Sequence, residues 1–137
     1  MRPPETWSDA MRAADALSAM LAHPVDVETR GVAVIVRAAG PALGQRECPA
    51  IIDAAQKAFT AAHGRTVAIL DLSNVQTFSA MGVGLCTDFA KRARERKLKP
   101  ILFGLRGDLL DQLRMFKIEK LFLVIRSKRD LEQEIHG

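Results

Sequence analysis

The chain has 137 residues and carries 20 Lys and Arg against 16 Asp and Glu, a formal net charge of +4. That length suits one domain that buries a core without disulfide or metal staples, and so mild a basic excess does not by itself point to nucleic acid. With no Tyr and only 5% aromatic residues, few platforms exist on which single-stranded nucleic acid could stack.

Cys48 and Cys86 lack metal or redox spacing and read as free thiols in a reducing compartment. No apolar run is long enough for a membrane span, and the opening MRPPETWSDAMR lacks the apolar core of a signal peptide. A cytoplasmic protein is therefore expected.

After Pro3-Pro4, Thr6 can cap a helix, with Asp9 at the capping-box position, and Trp7, Met11, Ala14, Leu17 and Leu21 fall on one face at helical spacing. His23-Pro24 ends it, because the residue before proline is pushed out of the helical region. Residues 1–24 thus read as an N-terminal helical extension and 25–137 as the domain proper. The apolar stripe needs cover from its own domain or from a partner, which leaves a homodimer open. Val25 to Glu28 alternates as a half-exposed strand, and Thr29-Arg30-Gly31 turns the chain. Val32 to Val36 is a β-branched run that reads as a strand buried on both faces. Gly40-Pro41 marks a loop. A helix follows from about Pro49, with Ile52, Ala55, Phe59 and Ala62 inward and Gly64 fitting its C-terminal cap.

Thr66 to Leu72 is the next strand, with Asp71 near its end and Ser73-Asn74 opening a loop. Ser79 is placed to cap the following helix. On that helix Met81, Leu85, Phe89 and Ala93 recur at i, i+4 as the inward face, with Thr87, Lys91, Arg94 and Glu95 outward. Gly82 and Gly84 in its first turn each cost about 1 kcal/mol against alanine, which suits a place where something approaches the backbone closely. Ile101 to Phe103 is a short core strand, and Asp108 can cap a short helix with Leu109, Leu113 and Phe116 inward. Leu121 to Ile125 reads as a strand or buried connection, and Ser127 with Asp130 opens a last helix anchored by Leu131 and Ile135. Strands alternating with helices predict an α/β fold, a mixed β-sheet packed with helices.

Patterns that carry chemistry are few. His23, His63 and His136 are isolated and no Cys/His cluster has ligand spacing, so no metal is expected. No phosphate-binding or dinucleotide glycine motif opens a helix, so no cofactor is expected, and no nucleophile motif suggests an enzyme or any catalytic residue. Asp71 at a strand end could suggest a phospho-accepting receiver. The earlier buried strand, however, ends in Arg37-Ala38-Ala39-Gly40, without the further acids a magnesium site needs. The basic run Lys91, Arg92, Arg94, Arg96, Lys97, Lys99 is the strongest charge feature. A solvated helix end accounts for it, and an acidic partner or nucleic acid is the other reading. Ser73, Asn74, Thr77 and Ser79 cluster before a helix N-terminus, where the positive dipole end favours a phosphate or a partner's carboxylate. A plain N-cap worth ~1 kcal/mol also explains Ser79.

The stretch from Val67 to Gly84 resembles the signature of STAS domains, the sulfate transporter and anti-sigma factor antagonist family, with Asp71, Leu72, Ser73, Val75, Gly82 and Gly84 matching. Leu113 to Phe122 is similar to a second family segment, and the order of elements agrees. The resemblance implies a STAS-like mixed sheet, with the N-terminal helix as an addition. It also implies a serine that a partner anti-sigma kinase phosphorylates, breaking the complex. In this chain Ser79 takes the position of the preceding aspartate, Ala80 that of the phospho-acceptor and Met81 that of the next serine. Three readings stay open: a permanently binding-competent antagonist, an acceptor moved to Ser79 or Thr77, or a role that never used the switch. Lys117 stands where the family often has glycine at a helix end.

The resemblance thus implies regulatory protein–protein interaction through Asn74, Thr77, Ser79, Ala80, Met81, Gly82 and Val83, joined by residues 40–44 if that loop folds beside them. Met81 and Val83 would give apolar contact, Ser79 and Asn74 polar contact, and Gly82 close approach to the backbone. The expected partner is an anti-sigma factor, a serine kinase-type protein or a sister STAS domain, with no direct nucleic acid contact. The alternatives are a transporter-associated accessory subunit or signalling scaffold, and a small-ligand (nucleotide or lipid) binding domain.

Overall fold

A computed structural model describes residues 25–137, so the helix expected over residues 7–21 lies outside the described part. Strands β1 (Val25–Arg30), β2 (Ala33–Ala38), β4 (Val67–Asp71), β6 (Lys99–Phe103) and β7 (Leu123–Ile125) form one five-stranded sheet in the order β1-β2-β4-β6-β7. β1 is antiparallel to β2 and the other neighbours are parallel. This is the expected mixed sheet, and β2 and β4 are its buried centre. The short strands β3 (Ala42–Leu43) and β5 (Thr77–Phe78) pair in parallel apart from it.

Alternation along β2, β4 and β6 sends side chains to two cores. Val34, Val36, Ala68, Leu70 and Leu102 meet α1 (Glu47–Thr60), α2 (Ala80–Glu95) and α3 (Gly107–Met115) on one face. Ile35, Ile69, Ile101 and Phe103 meet Leu131 and Ile135 of α4 (Lys128–His136) on the other. Phe89 is fully buried at the centre of the first core, edge-on to Phe59 and stacked with Phe122. The Ser127 hydroxyl caps α4 by accepting from the Asp130 N–H, as the sequence predicts.

Several boundaries and faces differ from the sequence reading. α1 begins at Glu47, whose carboxylate accepts from the Gly44 N–H and fixes the entry two residues before Pro49. Its buried stripe is Cys48, Ile51, Ala55 and Phe59, with Ile52 only partly covered and the cap at Ala61 rather than Gly64. The segment from Leu121 opens as a 3₁₀ turn (Ile118–Leu121) before β7. Phe116 does not turn inward: α3 ends at Met115, so the side chain that would continue the stripe of Leu109 and Leu113 points to solvent.

Two helices close on a lysine in the left-handed region. Lys97 and Lys117 both have φ 60. After α2 the Leu98 N–H reaches the Ala93 carbonyl and the Lys97 N–H the Arg94 carbonyl, the paired bonds of a Schellman end. Glycine fills such a position without a Cβ penalty. Lys117→Gly is therefore expected to raise stability by about 0.5–1 kcal/mol, the relief of strain being partly offset by a freer unfolded chain. Urea unfolding would show it as a higher midpoint at unchanged slope; an unchanged midpoint would mean that the lysine stem makes up the difference by packing.

Candidate functional site

The carboxyl end of β4 is built around Asp71, which is 5% exposed. One carboxylate oxygen accepts from the Ser73 N–H and hydroxyl at 2.9 and 2.6 Å; the other accepts from Arg37 Nε at 3.0 Å. Arg37 sits opposite both Asp71 and Asp26 in register, and its remaining nitrogens pair with Asp26 at 2.9 Å and Glu28 at 3.0 Å. Burial alone lowers the Arg37 pKa, but the bonds to Glu28 and Asp71 outweigh it and hold the group above the ordinary arginine value. Asp71 is thus a brace for the β4 turn, its oxygens already occupied. A cavity of about 370 Å³ between this brace and α4 is lined by Arg37, Asp71, Ser73, Asn74, Phe103 and Lys128 among others.

From Ser73 the chain passes over the sheet's end into β5. Val75 is fully buried and anchors the loop, leaving Asn74 exposed. The Pro41 carbonyl accepts from the N–H groups of Gln76 and Thr77, so residues 40–44 do lie beside the loop. Ser79 joins the two segments to the helix. Its N–H and hydroxyl both donate to the Leu43 carbonyl, at 3.0 and 3.2 Å, and its oxygen accepts from the Met81 N–H at 3.1 Å. It is the N-cap that the sequence predicts, and its side-chain bonds would be disturbed by a phosphate on that oxygen.

Beyond the cap the expected binding residues divide. Ala80 is exposed as the first residue of α2, and Met81, placed on the inward stripe by periodicity, is 41% exposed. Thr77 is exposed in β5, and Val83 is partly buried against the first core. Gly82, expected to admit a partner, is itself covered: an added Cβ would lie 3.1 Å from the Phe78 ring and 3.2 Å from Leu43. Its small size lets β5 and β3 close on the helix. The open glycine is Gly84, where a Cβ would meet nothing within 4 Å. Gly84, Met81 and Leu85 line one wall of a groove of about 330 Å³; Cys48, Pro49 and Ile52 of α1 line the other. Helical periodicity holds no sign of this groove, because it depends on how α1 and α2 lean together.

Both thiols belong to this region. Burial pushes Cys86 up to about 12 from an ordinary 9.0, with Cys48 adding to the shift. Cys48 is also raised, by burial and then by the Glu47 carboxylate. In mildly alkaline solution a thiol reagent is expected to label Cys86 only as the protein unfolds, with Cys48 at the groove reacting first. Because the unfolded chain ionises a thiol that the fold keeps neutral, Cys86 makes stability fall as pH rises from 9.0 toward about 12. Prompt labelling of Cys86 in the native state would contradict this burial. Among the described residues no three His, Cys, Asp or Glu side chains are grouped to hold a metal ion, and no helix is long and apolar enough to cross a membrane.

A family model described as STAS domain matches residues 23–131. Among solved structures, an anti-sigma-factor antagonist (STAS) domain protein from Planctomyces limnophilus superposes with a TM-score of 0.70 at 17% identity, covering 81% of this chain and 96% of that one. The anti-sigma factor antagonist SpoIIAA in its unphosphorylated form gives 0.62 at 14% identity, covering 80% and 94%. Part of the murine anion transporter Slc26a9 in its inward-facing state gives 0.61 at 16% identity, covering 77% of this chain but 18% of the transporter. At these identities the likeness is one of fold. No curated protein matches the chain in sequence.

Proposed function

The chain belongs to the STAS domain family, and from that premise we propose that it is a regulatory protein-binding module of the anti-sigma factor antagonist kind, held in its binding-competent state and without catalysis of its own. Its binding face is the end of the molecule formed by Asn74, Thr77, Ser79, Ala80 and Met81 with the neighbouring α1–α2 groove. The partner is an anti-sigma factor of serine kinase type or a sister STAS domain. Two buried free thiols fit a reducing, cytoplasmic setting.

The observation that carries the reading is Ala80. It stands exposed at the first helical position, where the resemblance places the phospho-acceptor serine, and has no hydroxyl to modify. Ser79 is a poor substitute, because its oxygen is held by Leu43 and Met81. A phosphate at a helix N-terminus would add nearly two negative charges to the face. Without one, the start of α2 keeps its apolar and neutral character.

The test uses a kinase-type partner captured with the protein, supplied with ATP. Wild type is expected to take up no phosphate, and Ala80→Ser to become a substrate at the substituted position. Phosphate found on Ser79 or Thr77 of wild type would overturn the constitutive reading and move the switch. The second reading, an accessory subunit of a transporter or a signalling scaffold, draws support from the likeness to part of Slc26a9. Capture of permease or ATPase subunits in place of a kinase would favour it.

A further inference from the structure

Two bulky apolar side chains stand in solvent at one corner of the molecule. Met115 and Phe116 are 78% and 64% exposed, the highest values for large hydrophobics among the described residues. Topology fixes where they lie. α2 leads into the amino end of β6 and α3 leads, through the 3₁₀ turn, toward the amino end of β7, a strand parallel to β6. Both helices therefore finish at the same edge of the sheet, the edge remote from the Ser79 cap. Arg94 in the last turn of α2 ties that helix to the 3₁₀ turn that follows α3, donating to the Leu121 carbonyl at 2.6 Å. A groove of about 490 Å³ runs between α2 and that turn, lined by Ala90, Lys91, Arg94, Glu95 and Leu121 among others.

The basic run that closes α2 thus meets further cations. Lys91 and Lys97 share this edge with Lys117 and Lys120; all four are exposed, and none forms an ion pair with a described residue. A solvated helix end explains cations near a carboxyl terminus. It does not explain why the two closing positions, Lys97 and Lys117, both hold lysine at φ 60, a conformation glycine adopts more readily. Nor does it explain two exposed apolar side chains between the charges.

We propose that this edge is a second binding face, which docks on an anionic lipid surface. The lysine ammonium groups meet the headgroups, and Met115 and Phe116 enter the interfacial layer. The four lysines outnumber the acids beside them, Glu95 and Glu119, so charge complementarity selects a negative occupant, and the form of the corner selects a fluid one. The apolar side chains protrude rather than line a pocket, and the unpaired cations are flexible lysines rather than the guanidinium forks that grip individual carboxylates. The neighbouring arginines are already engaged, Arg94 by Leu121 and Arg114 by Asp111. Docked in this way, the protein would present Ala80 and the α1–α2 groove away from the membrane, free for a protein partner.

The experiment is flotation of the full chain with vesicles of phosphatidylcholine, with and without phosphatidylglycerol, at low and high salt. Wild type is expected to float only with the anionic vesicles, and less as salt rises. The Lys97→Gly/Lys117→Gly double variant is expected to bind about thirtyfold more weakly, while its urea midpoint does not fall, which separates lost docking from lost folding. Met115→Ser/Phe116→Ser should weaken binding about tenfold. Equal flotation with neutral vesicles, or unchanged binding by the lysine double variant, would overturn the proposal. So would failure to float combined with binding to poly-glutamate, which would make the edge a site for acidic protein.

Discussion

Gly40→Ala is expected to cost about 3 kcal/mol of stability and to loosen the candidate binding face with it. Gly40 has φ 70, where any Cβ is strained, and its missing side chain faces the backbone of Asn74. A methyl group there would overlap the Asn74 carbonyl oxygen and crowd the carbonyl carbon. Neither is the flexible end of a side chain, so one of the two loops must move. If the 40–44 segment moves, the Pro41 carbonyl leaves the Gln76 and Thr77 N–H groups, the β3–β5 pair opens and the Ser79 cap loses Leu43. Urea unfolding measures the stability loss, and amide exchange at Gln76, Thr77 and Ser79 measures the loosening. A variant as stable as wild type, with those amides still protected, would mean that the contact between the two loops does not hold the face together.

The same contact marks where sequence reasoning reached its limit. The central strands were legible because β2 and β4 are short, mainly apolar runs, β2 rich in β-branched residues, a pattern that survives any choice of neighbour. The Ser79 and Ser127 caps were legible because capping is local. β3 and β5 were not, since two residues carry no period and exist as strands only through each other. Asp71 stood out at a strand end, yet its pairing with Arg37 depends on register, and the three-carboxylate clasp of Arg37 needs β1 antiparallel on the far side. Gly82 and Gly84 looked alike in the sequence. The Phe78 ring, which covers one and leaves the other open, decides between them. Met81 obeyed the helical period but stands at the mouth of an open groove, where no neighbour completes its burial.

The largest functional effect is expected from Ala80→Glu. Ala80 is exposed at the first position of α2, so a glutamate there meets no packed neighbour, and its charge suits the positive end of the helix dipole. Folding stability should hold or rise slightly. Binding should not survive in the same way. A partner that fits the uncharged face would have to desolvate a carboxylate or leave it unpaired, a penalty of several kcal/mol. A loss of about 3 kcal/mol corresponds to about a hundredfold in affinity. The substitution imitates, in charge and place, the phosphate that Ala80 cannot accept, so it separates a permanently competent antagonist from a scaffold indifferent to that position.

The most direct measurement is affinity capture from the native host's lysate with wild type and Ala80→Glu side by side, read by mass spectrometry, with Ala80→Glu first shown to unfold at a urea concentration no lower than wild type. The expected result is a kinase-type anti-sigma partner captured by wild type and lost with the added charge. Capture of the same proteins by both forms would contradict it, and would place the partner's contact somewhere other than the start of α2.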